Sequence, residues 1–161
     1  MKLVKKMYWG IIIIVGSVFL DQITKIIAKN VLRPKGSVNV IKGFFKFTYL
    51  ENDGGAWGIF GGKLIFFILI TVAALGMMIY LLKDFDLNNN KLYSIGLCLV
   101  IAGTIGNFID RVLYKYVIDF FDFIFFGYDF PIFNVADICI TFGVGLLIIK
   151  ILFFHDASPE V

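Results

Sequence analysis

Apolar residues run along the chain in four blocks that reach or approach membrane-spanning length, roughly 8–27, 64–82, 92–109 and 138–154, with polar residues crowded at their ends. Asp21 and Lys25 interrupt the outer third of the first block, one helical turn apart, and Lys150 sits near the end of the last, where its stem can snorkel. The pattern predicts an all-α membrane protein with four transmembrane helices. The spans take about half the chain and leave no room for a separate soluble unit, so residues 1–161 read as one domain. Between the first two blocks, residues 37–41 and 44–50 read as short strands separated by Lys42-Gly43, a small β-sheet lying on the membrane surface. They lead to Asn52-Asp-Gly-Gly-Ala-Trp-Gly58, whose glycines permit close approach of backbone. The connection over 83–91 is polar and turn-rich, a plain connector. Residues 111–134 hold seven phenylalanines between Phe120 and Phe133, interrupted by Asp122, Asp129 and Pro131. This stretch cannot be a fifth span; it reads as an interfacial loop, half-embedded, with Tyr114, Tyr116 and Tyr128 at headgroup level.

Composition agrees: 60% of residues are hydrophobic, 17% are charged and mean hydropathy is +0.90, more apolar surface than a soluble chain of this length can hide. The lysine-rich start followed by an apolar run imitates a secretory signal. It has no small-x-small cleavage site, so a retained first helix is expected. Cys98 and Cys139 fall inside spans without ligand spacing and read as packing residues; the one histidine, His155, is in the C-terminal tail. A histidine zinc site or Ser-His machinery therefore has no material, and no metal or cofactor is expected. The net charge of +3 says little about partners. Its distribution is awkward: six Lys/Arg fall on the face of the termini and nine on the other, and this count by itself favours an N-terminus outside.

The candidate chemistry lies in the polar exceptions. Asp119 and Asp137 stand in runs of bulky hydrophobes, and a carboxylate near lipid is expensive enough to be a functional candidate by default. Two that meet would share a proton rather than both ionise, the state an aspartic peptidase needs. On a four-span topology Asp21, Lys25, Asn52, Asn107, Asp110 and Arg111 converge with Asp119, Asn134 and Asp137 on one side of the membrane. Each also has a structural alternative. Asp21 and Lys25 could be an ion pair that eases burial or could shape a substrate site. Asn107, Asp110 and Arg111 could anchor a helix end, with Arg111 gripping a carboxylate bidentately. Asn134-x-x-Asp137 could cap the last helix. Asp119 could be a surface-loop aspartate, and Ala102-x-x-x-Gly106 reads as close helix packing.

In chain order stand Asp21-Gln-x-Thr-Lys25, Asn52-x-Gly54-x-Ala56-Trp57-Gly58, Gly106-Asn107-x-x-Asp110-Arg111, Val117-Ile118-Asp119-Phe120 and Phe133-Asn134-x-Ala136-Asp137. Together these blocks resemble the lipoprotein signal peptidases (signal peptidase II) of bacteria, from Asp21 to about Thr141. The resemblance implies a four-helix aspartic endopeptidase with a small extracytoplasmic sheet, in the bacterial plasma membrane, its termini cytoplasmic and its site toward the outer face. It implies cleavage of diacylglyceryl-modified prolipoproteins just before the lipidated cysteine. Asp119 and Asp137 match the catalytic pair; Asp21, Lys25, Asn52, Gly54, Asn107, Asp110, Arg111 and Asn134 match supporting or substrate-binding positions. Membrane lipids and the prolipoprotein are the partners implied, with no nucleic acid and a monomer expected. Glu51 and Gly55 depart from the commonest pattern, which touches loop rigidity and substrate preference rather than the reaction. A small proton-coupled exporter would instead place an acid near mid-span, whereas all four midpoints here are free of acids. A non-catalytic anchoring subunit leaves the paired aspartates unexplained.

Overall fold

The computed structural model describes residues 2–55 and 61–154. Ala56, Trp57 and Gly58 of the glycine-rich motif, and His155, lie outside the described residues. The element order is α1 (Lys2–Val31), β1 (Ser37–Ile41), β2 (Phe45–Asn52), α2 (Leu64–Leu81), a 3-10 turn (Leu82–Asp84), α3 (Lys91–Tyr114), β3 (Val117–Phe125), β4 (Tyr128–Asp129) and α4 (Val135–Phe153). Among the described residues, four helices are long and apolar enough to cross a membrane: Met7–Val31, Leu64–Asp84, Lys91–Tyr114 and Val135–Phe153. The chain is a multi-pass membrane protein.

Three helices extend past the boundaries that hydropathy predicts, for one reason. The polar residues near their ends are turned inward and bonded to one another, so they do not end the helix. Thus α1 is unbroken at Asp21 and Lys25 and runs on to Val31, α3 continues past Asn107 through Asp110 and Arg111 to Tyr114, and α4 begins at Val135. Lys115 ends α3 in the left-handed region (φ 74°), returning its N–H to the Arg111 carbonyl at 3.2 Å. Asn134 starts α4 through a reciprocal capping box with Asp137.

Helix α3 is the centre of the bundle, buried along Gly96, Leu97, Cys98, Ile101 and Ala102 and onward to Asp110. Small residues let its neighbours approach. A Cβ at Gly103 would meet the Ala136 carbonyl of α4, and one at Gly106 would meet the Asp21 carboxylate of α1. The expected close packing at Ala102-x-x-x-Gly106 is therefore real, and it is what lets the polar side chains of three helices touch. Helix α2, which buries no residue, presents its apolar surface outward.

The sheet is larger than the two strands predicted. It has four, in the order β1-β2-β3-β4, all antiparallel. The third connection is thus ordered as strand β3, which pairs with β2 from Phe45↔Phe123 to Asn52↔Val117, not as a loop merely half-embedded. A two-residue turn with Phe126 (φ 51°) and Gly127 (φ 82°) joins β3 to β4. The cross-strand aromatics stack, Phe45 on Phe123 with ring centroids 4.4 Å apart. Asp122, which obscures the alternation, is buried across from Lys46 (3.3 Å) and accepts from the Thr48 hydroxyl at 2.6 Å. The end of α1 closes under the sheet, where Ala28 and Leu32 pack with Ile118 and Phe120. Tyr114 and Tyr116, expected among headgroups, stack at 6.0 Å and pack against this cluster; Tyr128 is exposed.

Candidate active site

Five elements deliver the polar residues to one end of the bundle. Strand β3 contributes Asp119, the end of β2 Asn52, the last turns of α3 Asn107, Asp110 and Arg111, the first turn of α4 Asn134 and Asp137, and α1 Asp21 and Lys25. The sheet register sets Leu50 opposite Asp119, so Asn52 falls two residues further along β2, on the same face as Leu50, and reaches back to the carboxylate.

Asp119 is 2% exposed, and both its oxygens accept hydrogen bonds: Oδ1 from Asn134 Nδ2 at 2.6 Å, Oδ2 from Asn52 Nδ2 at 2.9 Å. Asp137 accepts from Asn107 Nδ2 at 2.8 Å on Oδ1 and from the Asn134 N–H at 3.1 Å on Oδ2. Asn134 therefore touches both acids. Its own Oδ1 takes the Asp137 N–H at 3.0 Å, which fixes the amide's sense and turns Nδ2 toward Asp119. The helix-cap reading of Asp137 is correct, and Asp137 lines the cavity as well.

Behind this pair lies a sealed ionic cluster. Lys25, 1% exposed, spends its donors on Asp21 Oδ2 (3.0 Å), Asp110 Oδ2 (3.0 Å) and Asn107 Oδ1 (2.9 Å). Asp21 Oδ1 in turn accepts the Ala136 N–H of α4 at 2.9 Å, and Asp110 Oδ2 the Ile118 N–H of β3 at 3.0 Å. The Asp21–Lys25 ion pair is thus part of a junction joining α1, α3, α4 and β3. Gln22, absent from the predicted site, completes it by donating to Asp21 Oδ2 and Asp110 Oδ1, each at 3.1 Å. An amide beside an acid in an apolar helix was the available signal.

Arg111 departs from expectation. Among the described residues it grips no carboxylate: Nη2 donates to the Gly54 carbonyl at 3.2 Å, and the guanidinium lies 4.7 Å from the Phe67 ring centroid of α2. Its charge is committed to the loop after β2, which Asn52 Oδ1 also braces by accepting the Gly54 N–H at 3.0 Å. Glu51, the departure from the family pattern, pairs with Arg33 at 3.3 Å and accepts from Tyr49 Oη at 3.0 Å on the exposed side of β2.

Asp119 and Asp137 line one cavity of about 490 Å³, together with Asn52, Gly54, Asn107 and Arg111 at its polar end. Its other walls are apolar, from Phe130, Pro131, Ile132, Phe133, Ile138 and Ile140. Burial raises the Asp119 carboxyl to about 7, and the Asp137 carboxylate adds to the rise; Asn52, Asn134 and Lys25 oppose it. Two acids in one largely apolar pocket, one of them near neutrality, can hold a single proton between them. That arrangement suits general acid–base attack of water on a carbonyl.

The chain is similar to known proteins along nearly all its length. Residues 13–153 match the family model described as Signal peptidase (SPase) II. Proteins named lipoprotein signal peptidase from two Staphylococcus aureus strains, bovine RF122 / ET3-1 and MRSA252, are each 44% identical over 150 residues, 92% of this chain and 91% of theirs. Two solved structures, both titled as bacterial membrane enzymes determined by the in meso method, superpose on it. The 2.3 Å structure has a TM-score of 0.82 and 42% identity, covering 94% of this chain and 93% of the other. The 1.9 Å structure has a TM-score of 0.79 and 44% identity, covering 91% and 94%. Sequence and fold agree from the first span to the last, and the chain belongs to the signal peptidase II family.

Proposed function

We propose that this chain is a membrane aspartic endopeptidase that removes the signal peptide from diacylglyceryl-modified prolipoproteins, cutting just before the lipidated cysteine, with Asp119 and Asp137 as its acid–base pair. The observation that carries the reading is the shared cavity: two carboxyls from separate segments, tied to each other by Asn134, open onto apolar walls. One aspartate, ionised, takes a proton from a water; the other, protonated, donates to the scissile carbonyl oxygen. Positioned proton transfer of this kind contributes about 10²–10⁴-fold. Asn52, Asn107 and Asn134 hold the acids by hydrogen bonds that survive the change of charge, because amides do not titrate. Arg111 keeps the Gly54 carbonyl, and with it the cavity rim, in place.

In this reading the enzyme lies in the bacterial plasma membrane with its termini cytoplasmic and its site near the outer face, and it works as a monomer. The substrate enters sideways from the bilayer, its acyl chains staying among apolar side chains while the peptide reaches the polar end of the cavity. Since acyl chains are in lipid before and after binding, they position the peptide more than they tighten it. The test is cleavage of a synthetic diacylglyceryl signal peptide by purified protein. Wild type cuts before the modified cysteine, and Asp119→Asn and Asp137→Asn do not. Comparable turnover by either folded variant removes that residue from the pair, and equal rates on the unlipidated peptide contradict lipid-dependent recognition.

A further inference from the structure

Thr141 stands four residues beyond Asp137 on α4, on the same helical face, and lines the same cavity. Four residues of helix place it about 6 Å deeper than Asp137, because α4 starts at the polar end of the site and runs into the bilayer. Its surroundings there are Ile138, Ile140 and Phe142, apolar and facing lipid or cavity. Of the other three threonines in the spans, two turn their hydroxyls back onto their own helix, Thr104 to the Val100 carbonyl at 2.7 Å and Thr24 to the Leu20 carbonyl at 2.9 Å, and the third, Thr71 of α2, does not line the cavity. Thr141 does not turn back in this way. Among the described residues its hydroxyl bonds to nothing, and it is exposed to the cavity. A hydroxyl at bilayer depth without a partner is costly, and a hydrogen bond formed in such surroundings is strong and directional.

Resting on the activity proposed above, we propose that Thr141 is a specificity-determining residue that donates its hydroxyl to an ester carbonyl of the substrate's glyceryl lipid. The reach fits. From the scissile carbonyl carbon to the nearer ester carbonyl oxygen is about nine bonds through the cysteine side chain and glycerol, enough to span about 6 Å without full extension. Asn52, Gly54 and Arg111 line the other, polar end of the cavity, where the peptide lies; the ester is the polar group of the substrate that reaches this depth. The wall thus reads two features of one substrate: the acids the scissile bond, Thr141 the ester below it.

The test uses purified full-length protein and two synthetic signal peptides, one carrying a diacylglyceryl (diester) thioether on its cysteine and one its dialkyl-ether analogue, which lacks the ester carbonyls. Wild type favours the diester in KM. Thr141→Val, isosteric without the hydroxyl, raises KM for the diester about three- to tenfold, leaves the diether unchanged, and so erases the preference. Thr141→Ser restores it. If Thr141→Val leaves the diester preference intact, or slows both substrates alike while Thr141→Ser does the same, Thr141 does not read the ester and the proposal fails while the peptidase reading stands. Wild type that cleaves neither peptide ends both.

Discussion

Two acidic clusters sit side by side at this end of the bundle, built from the same residue types, and they differ in what surrounds their charge. In the inner one Lys25 stands between Asp21 and Asp110, three residues at most 1% exposed, and Gln22, Asn107 and two backbone N–H groups complete the bonding. In the outer one Asp119 and Asp137 have amide donors and no cation in contact among the described residues. The inner cluster has spent its charge on holding four segments together. The outer one keeps a proton in play beside an open cavity. Compensation by a cation separates architecture from chemistry here; burial alone does not, since Asp119, at 2% exposed, is nearly as deep as the inner cluster.

Substitutions in the two clusters should therefore fail differently. The largest effect is on turnover: Asp119→Asn and Asp137→Asn each lower kcat by about 10³-fold or more while the protein still inserts and purifies folded. Lys25→Met should instead cost fold, about 3–5 kcal/mol, because Asp21 and Asp110 are left buried without their counter-charge. Thermal unfolding in detergent reads this, and full stability in Lys25→Met would erase the distinction between the clusters. The pH dependence is smaller and has a definite sign. With the Asp119 carboxyl raised from 3.8 to about 7, kcat/KM falls on the alkaline side of neutrality as the shared proton leaves. Asn52→Leu removes a donor that holds the acid down, so that limb moves to higher pH. The same shift makes the folded state lose stability as pH climbs from 3.8 towards 7, a loss absent in Asp119→Asn, whose melting temperature should exceed wild type at pH 8. Least of all, Glu51→Gln on the exposed rim of β2 changes stability by less than about 1 kcal/mol, since its partner Arg33 is 3.3 Å away in solvent.

How much of this could be read beforehand depended on range. The four helices were legible because hydropathy is local, and the polar constellation because charges in apolar runs are conspicuous. Strand β3 was not, although Val117–Phe125 is rich in strand-forming residues and followed by a Phe126-Gly127 turn. Asp119 and Asp122, three apart, broke the period of two; both are satisfied by partners on β2, more than sixty residues earlier in the chain. The Asp21–Lys25 pair was legible from its one-turn spacing, but the role of Arg111 was not, for a similar reason. Intrinsic geometry favoured arginine as the carboxylate grip, yet the lysine meets the acids and the arginine meets a carbonyl and a ring, an outcome set by tertiary placement alone.

The capping box at the start of α4 has a consequence for safety. Asp137 owes its position to Asn134, the same Asn134 holds Asp119, and the residue just before Asp137, Ala136, is tied to Asp21 in the first span. Cutting ability therefore cannot precede the winding of the final membrane crossing and its docking against the opening one. A nascent peptidase is inert until that last crossing has formed and docked.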